Sequence, residues 1–224
     1  MAIIIDSEDT VENKTVTPVE ADTSIIVEYL FQTGIFRSNS EQYLNMVKPI
    51  FKKAIDKVKK DNPNILKTVY PTLLSNNIFN EEKAKPLVDY VARTSWEILN
   101  NQGYDMDKMN VFFLDMFCQE HHKYSGHDTH THPGAQITGF YFIEVPENSC
   151  RVVFQDPRQA KYHASLMQRD MSLVTLSSNE INFEPKLGDF FFTNSWLPHS
   201  FTRNANAKPM KFIHFSLGVS YNNE

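Results

Sequence analysis

The residues best suited to chemistry in this 224-residue chain are histidines, and five of its eight histidines lie between His121 and His132. His130 and His132 are two positions apart and precede an apolar run over residues 137–145. Residues i and i+2 of a strand point to the same face of a sheet, so both imidazoles can reach one point. Imidazole nitrogen is a common ligand of transition metals. The spacing therefore predicts two ligands of a metal site.

A third candidate ligand, His199, lies far downstream, shortly after an apolar run at residues 189–193 that is typical of a buried strand. Two ligands beside one strand and a third beside a distant strand would hold a metal ion from one side only. The opposite side of the ion would stay open to other molecules. The sequence thus predicts an open three-ligand site made of His130, His132 and His199.

Composition limits the classes of partner. The chain has 22 basic and 27 acidic residues, a net charge of −5, so we expect no nucleic-acid partner and no anionic membrane surface. No window reaches the roughly 20 apolar residues of a membrane span, and the acidic N-terminal segment is unlike a signal peptide. Cys118 and Cys150 lack a metal or redox motif, which favours a reducing compartment. We expect a cytoplasmic protein, with its oligomeric state open and a homodimer possible.

The elements that must position the histidines fall into two portions. Residues 7–23 are polar, which predicts that segment 1–23 is a flexible arm or an edge strand. Residues 24–107 show helical periodicity. One amphipathic helix is expected after Ser40 and a second from about Asn80 to Gly103. From residue 108 to 224 the pattern changes to short apolar runs separated by Gly, Pro and Asn, which predicts strands.

Eight strands are predicted, at residues 111–118, 136–146, 150–155, 172–176, 181–183, 189–193, 199–203 and 210–219. Eight short strands after two helices predict a mainly β fold, a double-stranded β-helix or jelly roll, with the N-terminal helical portion packed on one sheet. We expect the three segments to form one compact α+β domain.

An ordered set of motifs in the predicted β portion resembles the 2-oxoglutarate/Fe(II)-dependent oxygenases. The motifs are His130–Ala135 (HTHPGA), Thr138–Ile143 (TGFYFI), Val153–Arg158 (VFQDPR), Phe183–Asp189 (FEPKLGD) and Ser195–His199 (SWLPH). The resemblance covers roughly residues 108–220 and is greatest to an uncharacterised bacterial and phage branch, distantly similar to prolyl hydroxylases. It implies Fe(II), 2-oxoglutarate as cosubstrate, and O2.

The resemblance also implies site residues. His130 and His199 match the two histidines of the family, but His132 takes the position of its carboxylate ligand. Three neutral imidazoles leave the Fe(II) site more positive by one charge than two imidazoles and a carboxylate would. If a carboxylate completes the ligand set, Asp128 is a better candidate than Asp156.

For the distal carboxylate of 2-oxoglutarate, the resemblance points to a basic residue on the last core strand, here Lys211. Arg203 and Lys208 are alternatives. Hydroxyl groups of Thr138 and Tyr141 would bind the same carboxylate.

The remaining residues of the region receive smaller roles. Arg158 and Trp196 are candidates for the substrate mouth. We interpret His121 and His122, beside Lys123, as part of a solvated loop and His214 as a hydrogen-bonded sheet residue.

The expected function is a dioxygenase, and more narrowly a hydroxylase, that couples decarboxylation of 2-oxoglutarate to succinate with oxidation of an unknown substrate. Two alternatives stay open. A cupin-type three-histidine metalloenzyme would fit His132 and would not need Lys211. A non-catalytic jelly-roll binding module would need neither the three histidines nor Lys211.

Overall fold

Ten strands and three α-helices are found in residues 31–222, the part of the chain that the computed structural model describes. The strands are β1 Ile35–Asn39, β2 Thr72–Asn77, β3 Met109–His121, β4 His127–His130, β5 Ile137–Glu144, β6 Val152–Gln155, β7 Glu180–Phe183, β8 Asp189–Asn194, β9 His199–Phe201 and β10 Met210–Tyr221. The helices are α1 Leu44–Asp61, α2 Lys85–Asn101 and α3 Gln159–His163. The predicted flexible arm at residues 1–23 lies outside the described residues.

The strands form two antiparallel sheets. The six-stranded sheet has the order β1-β8-β5-β10-β3-β2, and the four-stranded sheet has the order β4-β9-β6-β7. Apolar side chains from both sheets share one core, with Phe140 and Phe212 from the larger sheet and Phe154 and Phe201 from the smaller. This two-layer arrangement is a jelly roll, so the prediction of a mainly β fold is confirmed.

The two long helices cover the other face of the six-stranded sheet. Val47 and Ile55 of α1 and Val91 of α2 are buried in a second core together with Ile213 and Phe215 of β10. The predicted packing of the helical portion on one sheet is therefore confirmed. Among residues 31–222, none of the helices combines the length and apolar character needed to cross a bilayer.

Four parts of the β architecture differ from the predicted strands. One is β4, which none of the eight predicted strands covers. The predicted helical portion also contributes β1 and β2, which are short strands at the two edges of the larger sheet. The strand predicted at 172–176 is absent from this stretch, where Leu173, Val174 and Leu176 are exposed. Apolar residues of this kind form a strand only where another strand is available to pair with them.

The two faces of β10 separate the molecule into an inner and an outer side. Met210, Phe212, His214 and Ser216 point to the inner face, between the two sheets, whereas the intervening residues point to the outer face, towards the helices. The position of a residue along this strand therefore decides whether it can reach the space between the sheets.

Candidate metal centre

Strands of the smaller sheet position two of the predicted ligands, His130 and His199. His130 is the last residue of β4 and lies directly opposite His199, the first residue of β9. His199 also lies opposite Phe154 of β6, which places it inside the sheet. His132 lies two residues beyond β4, where its backbone N–H donates to the carbonyl of Ser195 at 3.0 Å. Loop contacts of this kind, rather than strand alternation, hold His132 in place.

The three imidazoles converge. One nitrogen from each of His130, His132 and His199 lies within 4.8 Å of the corresponding nitrogens of the other two. The Nε2 atoms of His132 and His199 are 3.3 Å apart. We refer to these residues as the histidine triad. The donor set is one that can hold a divalent transition metal, and three ligands leave further coordination positions open.

Backbone carbonyls orient two members of the triad. The Nδ1 atom of His130 is 2.8 Å from the carbonyl oxygen of Asp128, and that of His199 is 3.0 Å from the carbonyl oxygen of Leu197. An Nδ1–H group that donates to each carbonyl leaves the Nε2 lone pair free for a metal. The Nδ1 atom of His132 is 3.5 Å from the hydroxyl oxygen of Ser216, so its contact is longer.

Burial keeps two rings of the triad, those of His132 and His199, neutral. Burial, with the nearby imidazoles, lowers the pKa of His132 to about 2. Burial also lowers the pKa of His199 to about 4. Neutral imidazole is the form that binds a metal, so no proton has to leave these two rings at pH 7.

A second group of polar side chains adjoins the triad on the larger sheet. The ring of His214 stacks on that of His132, with centroids 4.7 Å apart and planes 27° apart. On one side, Nε2 of His214 is 3.1 Å from the hydroxyl oxygen of Thr138. On the other side, Nδ1 of His214 is 3.0 Å from a carboxylate oxygen of Asp115.

Further histidines extend the cluster in the opposite direction. The ring of His127 stacks on that of His130 at 4.2 Å. His121, interpreted above as a loop residue, instead ends β3 and is fully buried, with Nε2 2.7 Å from the side-chain nitrogen of Gln119. Burial lowers the pKa of His121 to about 3. The correction follows from the length of β3, which continues to residue 121.

The residues predicted to bind 2-oxoglutarate separate into two groups. Thr138 lies on the inner face and contacts His214. Lys211 and Tyr141 lie on the outer face of the larger sheet, away from the triad. The ammonium of Lys211 pairs with the carboxylate of Glu144 at 2.7 Å, and the hydroxyl of Tyr141 donates to the carbonyl of Ser40 at 2.9 Å.

The two alternative basic residues are also placed elsewhere. Arg203 lies 3.6 Å from Asp128, whose side chain is 95% exposed, and Lys208 is exposed in the turn before β10. Asp128 therefore faces solvent and contributes only its backbone carbonyl to the triad.

The residues predicted to form the substrate mouth lie in connections between strands. Trp196 is half exposed in the turn between β8 and β9, three residues before His199. Arg158 forms two hydrogen bonds from its guanidinium to the carboxylate of Asp156, shortly after the end of β6.

Sequence reasoning missed Asp115 and assigned His214 only a structural role. The available signal was the alternation along β10, because His214 and Ser216 share a face that excludes Lys211. What the sequence did not reveal was which of the two faces is the inner one.

Comparison with known proteins bears on this centre. Residues 116–215 match a family model described as a putative 2OG-Fe(II) oxygenase. This segment is similar to the 2-oxoglutarate/Fe(II) oxygenases. The family uses Fe(II), 2-oxoglutarate and O2, and the histidine triad lies within the matched segment and fits the iron. No curated protein sequence matches the chain.

Several solved structures share the fold at low sequence identity. A prolyl-4-hydroxylase from Pseudomonas putida has a TM-score of 0.54 and 9% identity, covering 83% of this chain and 92% of its own. AviO1 from Streptomyces viridochromogenes Tue57 has a TM-score of 0.55 and 10% identity, with 83% and 90% covered. A prolyl hydroxylase from Trichoplax adhaerens, solved with a hypoxia inducible factor peptide, has a TM-score of 0.50 and 8% identity, with 82% and 83% covered.

Proposed function

We propose that the protein is an Fe(II)- and 2-oxoglutarate-dependent dioxygenase that acts as a hydroxylase, with His130, His132 and His199 as the iron ligands. The observation that carries the proposal is the convergence of three imidazoles within 4.8 Å, between the sheets of a jelly roll. When bound, iron and 2-oxoglutarate would supply the oxidation, in which O2 is consumed, 2-oxoglutarate is decarboxylated to succinate and one oxygen atom enters the substrate.

The protein's own residues orient and enclose this chemistry. The carbonyls of Asp128 and Leu197 fix two ligand rings, and the buried walls of Phe140 and Phe154 exclude water around His199. The hydroxyl of Thr138 is the best-placed of the predicted cosubstrate contacts, because it lies on the inner face.

The substrate would enter where the connections leave the smaller sheet. Phe154 lies opposite His199, and β6 ends one residue later, so the connection from β6 to β7 begins beside the triad. Arg158 belongs to this connection, and Trp196 lies on the turn that precedes His199. We propose both as residues of the substrate mouth.

One observation favours the cupin-type alternative. The inner face of β10 carries Met210, Phe212, His214 and Ser216, so it offers neither a lysine nor an arginine to the distal carboxylate of 2-oxoglutarate. A three-histidine metalloenzyme that does not use 2-oxoglutarate would need no such cation. Binding of 2-oxoglutarate separates the two functions.

The test combines metal analysis with two cosubstrate measurements. Wild-type protein loaded with Fe(II) without oxygen should bind about one iron per chain, and His199→Ala or His132→Leu should lose it. His163→Ala, at an exposed histidine in α3, is the matched control and should retain iron. Wild-type iron content in His199→Ala would contradict the proposed centre.

The cosubstrate is tested on the iron-loaded wild type. We expect 2-oxoglutarate to bind in an anaerobic calorimetric titration, and succinate to form when O2 and ascorbate are added. Iron binding without any binding of 2-oxoglutarate would instead support the cupin-type enzyme.

A further inference from the structure

The proposed ligand set leaves a charge to be balanced, and the inference that follows rests on the proposed function. Two imidazoles and a carboxylate would bring one negative charge to Fe(II), whereas His130, His132 and His199 bring none. The charge around a bound metal sets its affinity and its preferred oxidation state. A nearby carboxylate could restore the balance without being a ligand.

Asp115 is the carboxylate that contacts the rings around the triad. It lies on β3 opposite Ser216 of β10, and one of its oxygens is 3.0 Å from Nδ1 of His214. Both atoms are buried, and within the described residues neither makes a hydrogen bond of good geometry, even to the other, so their 3.0 Å separation is a close polar contact. His214 in turn stacks on His132 at 4.7 Å.

The carboxylate of Asp115 is not neutralised by a cation. Within residues 31–222, no Lys or Arg nitrogen lies within 4.0 Å of it, although its side chain is only 34% exposed. Other acidic side chains near the histidines are paired, namely Asp128 with Arg203, Asp156 with Arg158 and Lys161, and Glu120 with Lys59. Among the described residues, no ion pair with Lys or Arg therefore offsets the carboxylate of Asp115.

His214 is fixed in the orientation that links Asp115 to the triad. The hydroxyl of Thr138 contacts its Nε2 at 3.1 Å, and the ring of Phe117 stacks on it at 4.7 Å. The ring is almost fully buried, so little solvent separates the carboxylate from His132. Charges interact more strongly across such a dry path than across water.

We infer that Asp115, held through His214 against the ring of His132, supplies the negative charge that the three-histidine ligand set lacks. Asp115 is a positioning residue that acts through His214 and does not touch the metal. A negative charge near the iron favours Fe(III) over Fe(II), and it strengthens binding of either ion.

The first experiment replaces the charge and keeps the shape. Asp115→Asn retains an oxygen that can face Nδ1 of His214. We expect its affinity for Fe(II) to fall by roughly tenfold or more, the range found when groups behind metal ligands are changed. The midpoint potential of the Fe(III)/Fe(II) couple should rise in an anaerobic redox titration. Asp115→Ser should behave in the same way if the Asn variant folds poorly.

Two control variants identify charge as the cause. Asp115→Glu keeps the charge and should stay close to wild type in potential. Glu184→Gln removes an exposed carboxylate that pairs with Arg151 at 3.3 Å, outside the triad and its contacts, so neither affinity nor potential should change. A purely structural role for Asp115 would leave the potential of Asp115→Asn at the wild-type value.

A double variant tests whether Asp115 replaces the missing ligand charge. His132→Asp places a carboxylate directly in the ligand set, so Asp115→Asn should cost much less Fe(II) affinity in that background than in the wild type. Equal losses in the two backgrounds would overturn the inference.

The same measurements separate this inference from the proposed function. Wild-type protein that binds no Fe(II) would overturn both. Wild-type iron binding together with an unchanged potential in the Asp115→Asn and Asp115→Ser variants would overturn only the role of Asp115.

Discussion

The ammonium group of Lys211 pairs with the carboxylate of Glu144 on the neighbouring strand, at 2.7 Å. Lys211 is directly opposite Glu144, and the register between β10 and β5 shifts immediately after this pair. The next residue, Phe212, points into the core between the sheets. Lys211 therefore lies on the outer side of the sheet, where the carboxylate of Glu144 balances its charge.

This placement predicts that Lys211→Ala leaves the affinity for 2-oxoglutarate unchanged, because the side chain does not reach the inner face. The free energy of unfolding should fall by no more than about 1 kcal/mol, as for other partly exposed ion pairs. Calorimetric titration of the Fe(II) protein and chemical denaturation measure the two quantities. A large loss of 2-oxoglutarate affinity would show that Lys211 reaches the cosubstrate in solution.

The histidine triad could be predicted from sequence because imidazoles at positions 130, 132 and 199 have few structural uses in that pattern. The sequence could not predict which face of β10 points between the two sheets. Ile213 and Phe215 are buried against the helices, and Phe212 is buried between the sheets. A strand buried on both faces has no polar side to reveal its orientation, so the sequence alone leaves the face of Lys211 undetermined.

At the scale of elements, the predicted strands that were found are those with long apolar runs and a central place in a sheet. β5, β8 and β10 are central strands or are almost wholly buried. The missed strands β1, β2 and β4 are edge strands, and β2 has the polar sequence TLLSNN. Edge strands bury little apolar surface, so their pairing is decided by neighbours that are distant in sequence.

Central strand β5 depends on a residue without a side chain. A Cβ atom on Gly139 would lie 2.2 Å from the carbonyl oxygen of Phe191 on β8 and 2.5 Å from the ring of Phe215 on β10. Backbone and a buried ring cannot move aside easily, because strands on both sides are paired with β5.

We therefore expect Gly139→Ala to lower the free energy of unfolding by about 3 kcal/mol or more, at the upper end of overpacking effects. Gly134→Ala is a suitable control for a loop glycine, because nothing lies within 4 Å of the added atom and only its positive φ of 87° adds strain. Urea denaturation compares the two variants. A loss from Gly139→Ala no larger than that from Gly134→Ala would contradict the close approach of the three strands.

At the scale of the whole molecule, the larger sheet separates two different interiors. Its outer side packs against helices with aliphatic and aromatic side chains, and Phe190 and Phe192 belong to that core. Its inner side combines apolar residues such as Phe191 with a group of buried histidines. Folding therefore has to bury several imidazoles that are fully hydrated in the unfolded chain.

This burial predicts that the metal-free protein loses stability as the pH falls from about 6.5 to about 4. Burial lowers the pKa of His121 to about 3, of His132 to about 2 and of His199 to about 4. An unfolded histidine has a pKa of about 6.5. In this pH range the unfolded chain binds protons that the folded chain does not, so the free energy of unfolding increases with pH.

Each such proton contributes about 1.4 kcal/mol per pH unit once the unfolded group is fully protonated. Urea denaturation of the metal-free protein at several pH values between 7 and 4 measures the slope. A free energy of unfolding that stays constant over this range would contradict the buried neutral state of the three rings. The variant His121→Phe keeps a ring between Phe201 and Phe212 and should reduce the slope by about one proton, because the histidine that it removes is buried apart from the triad. An unchanged slope in this variant would assign the pH dependence to the triad and the carboxylates instead.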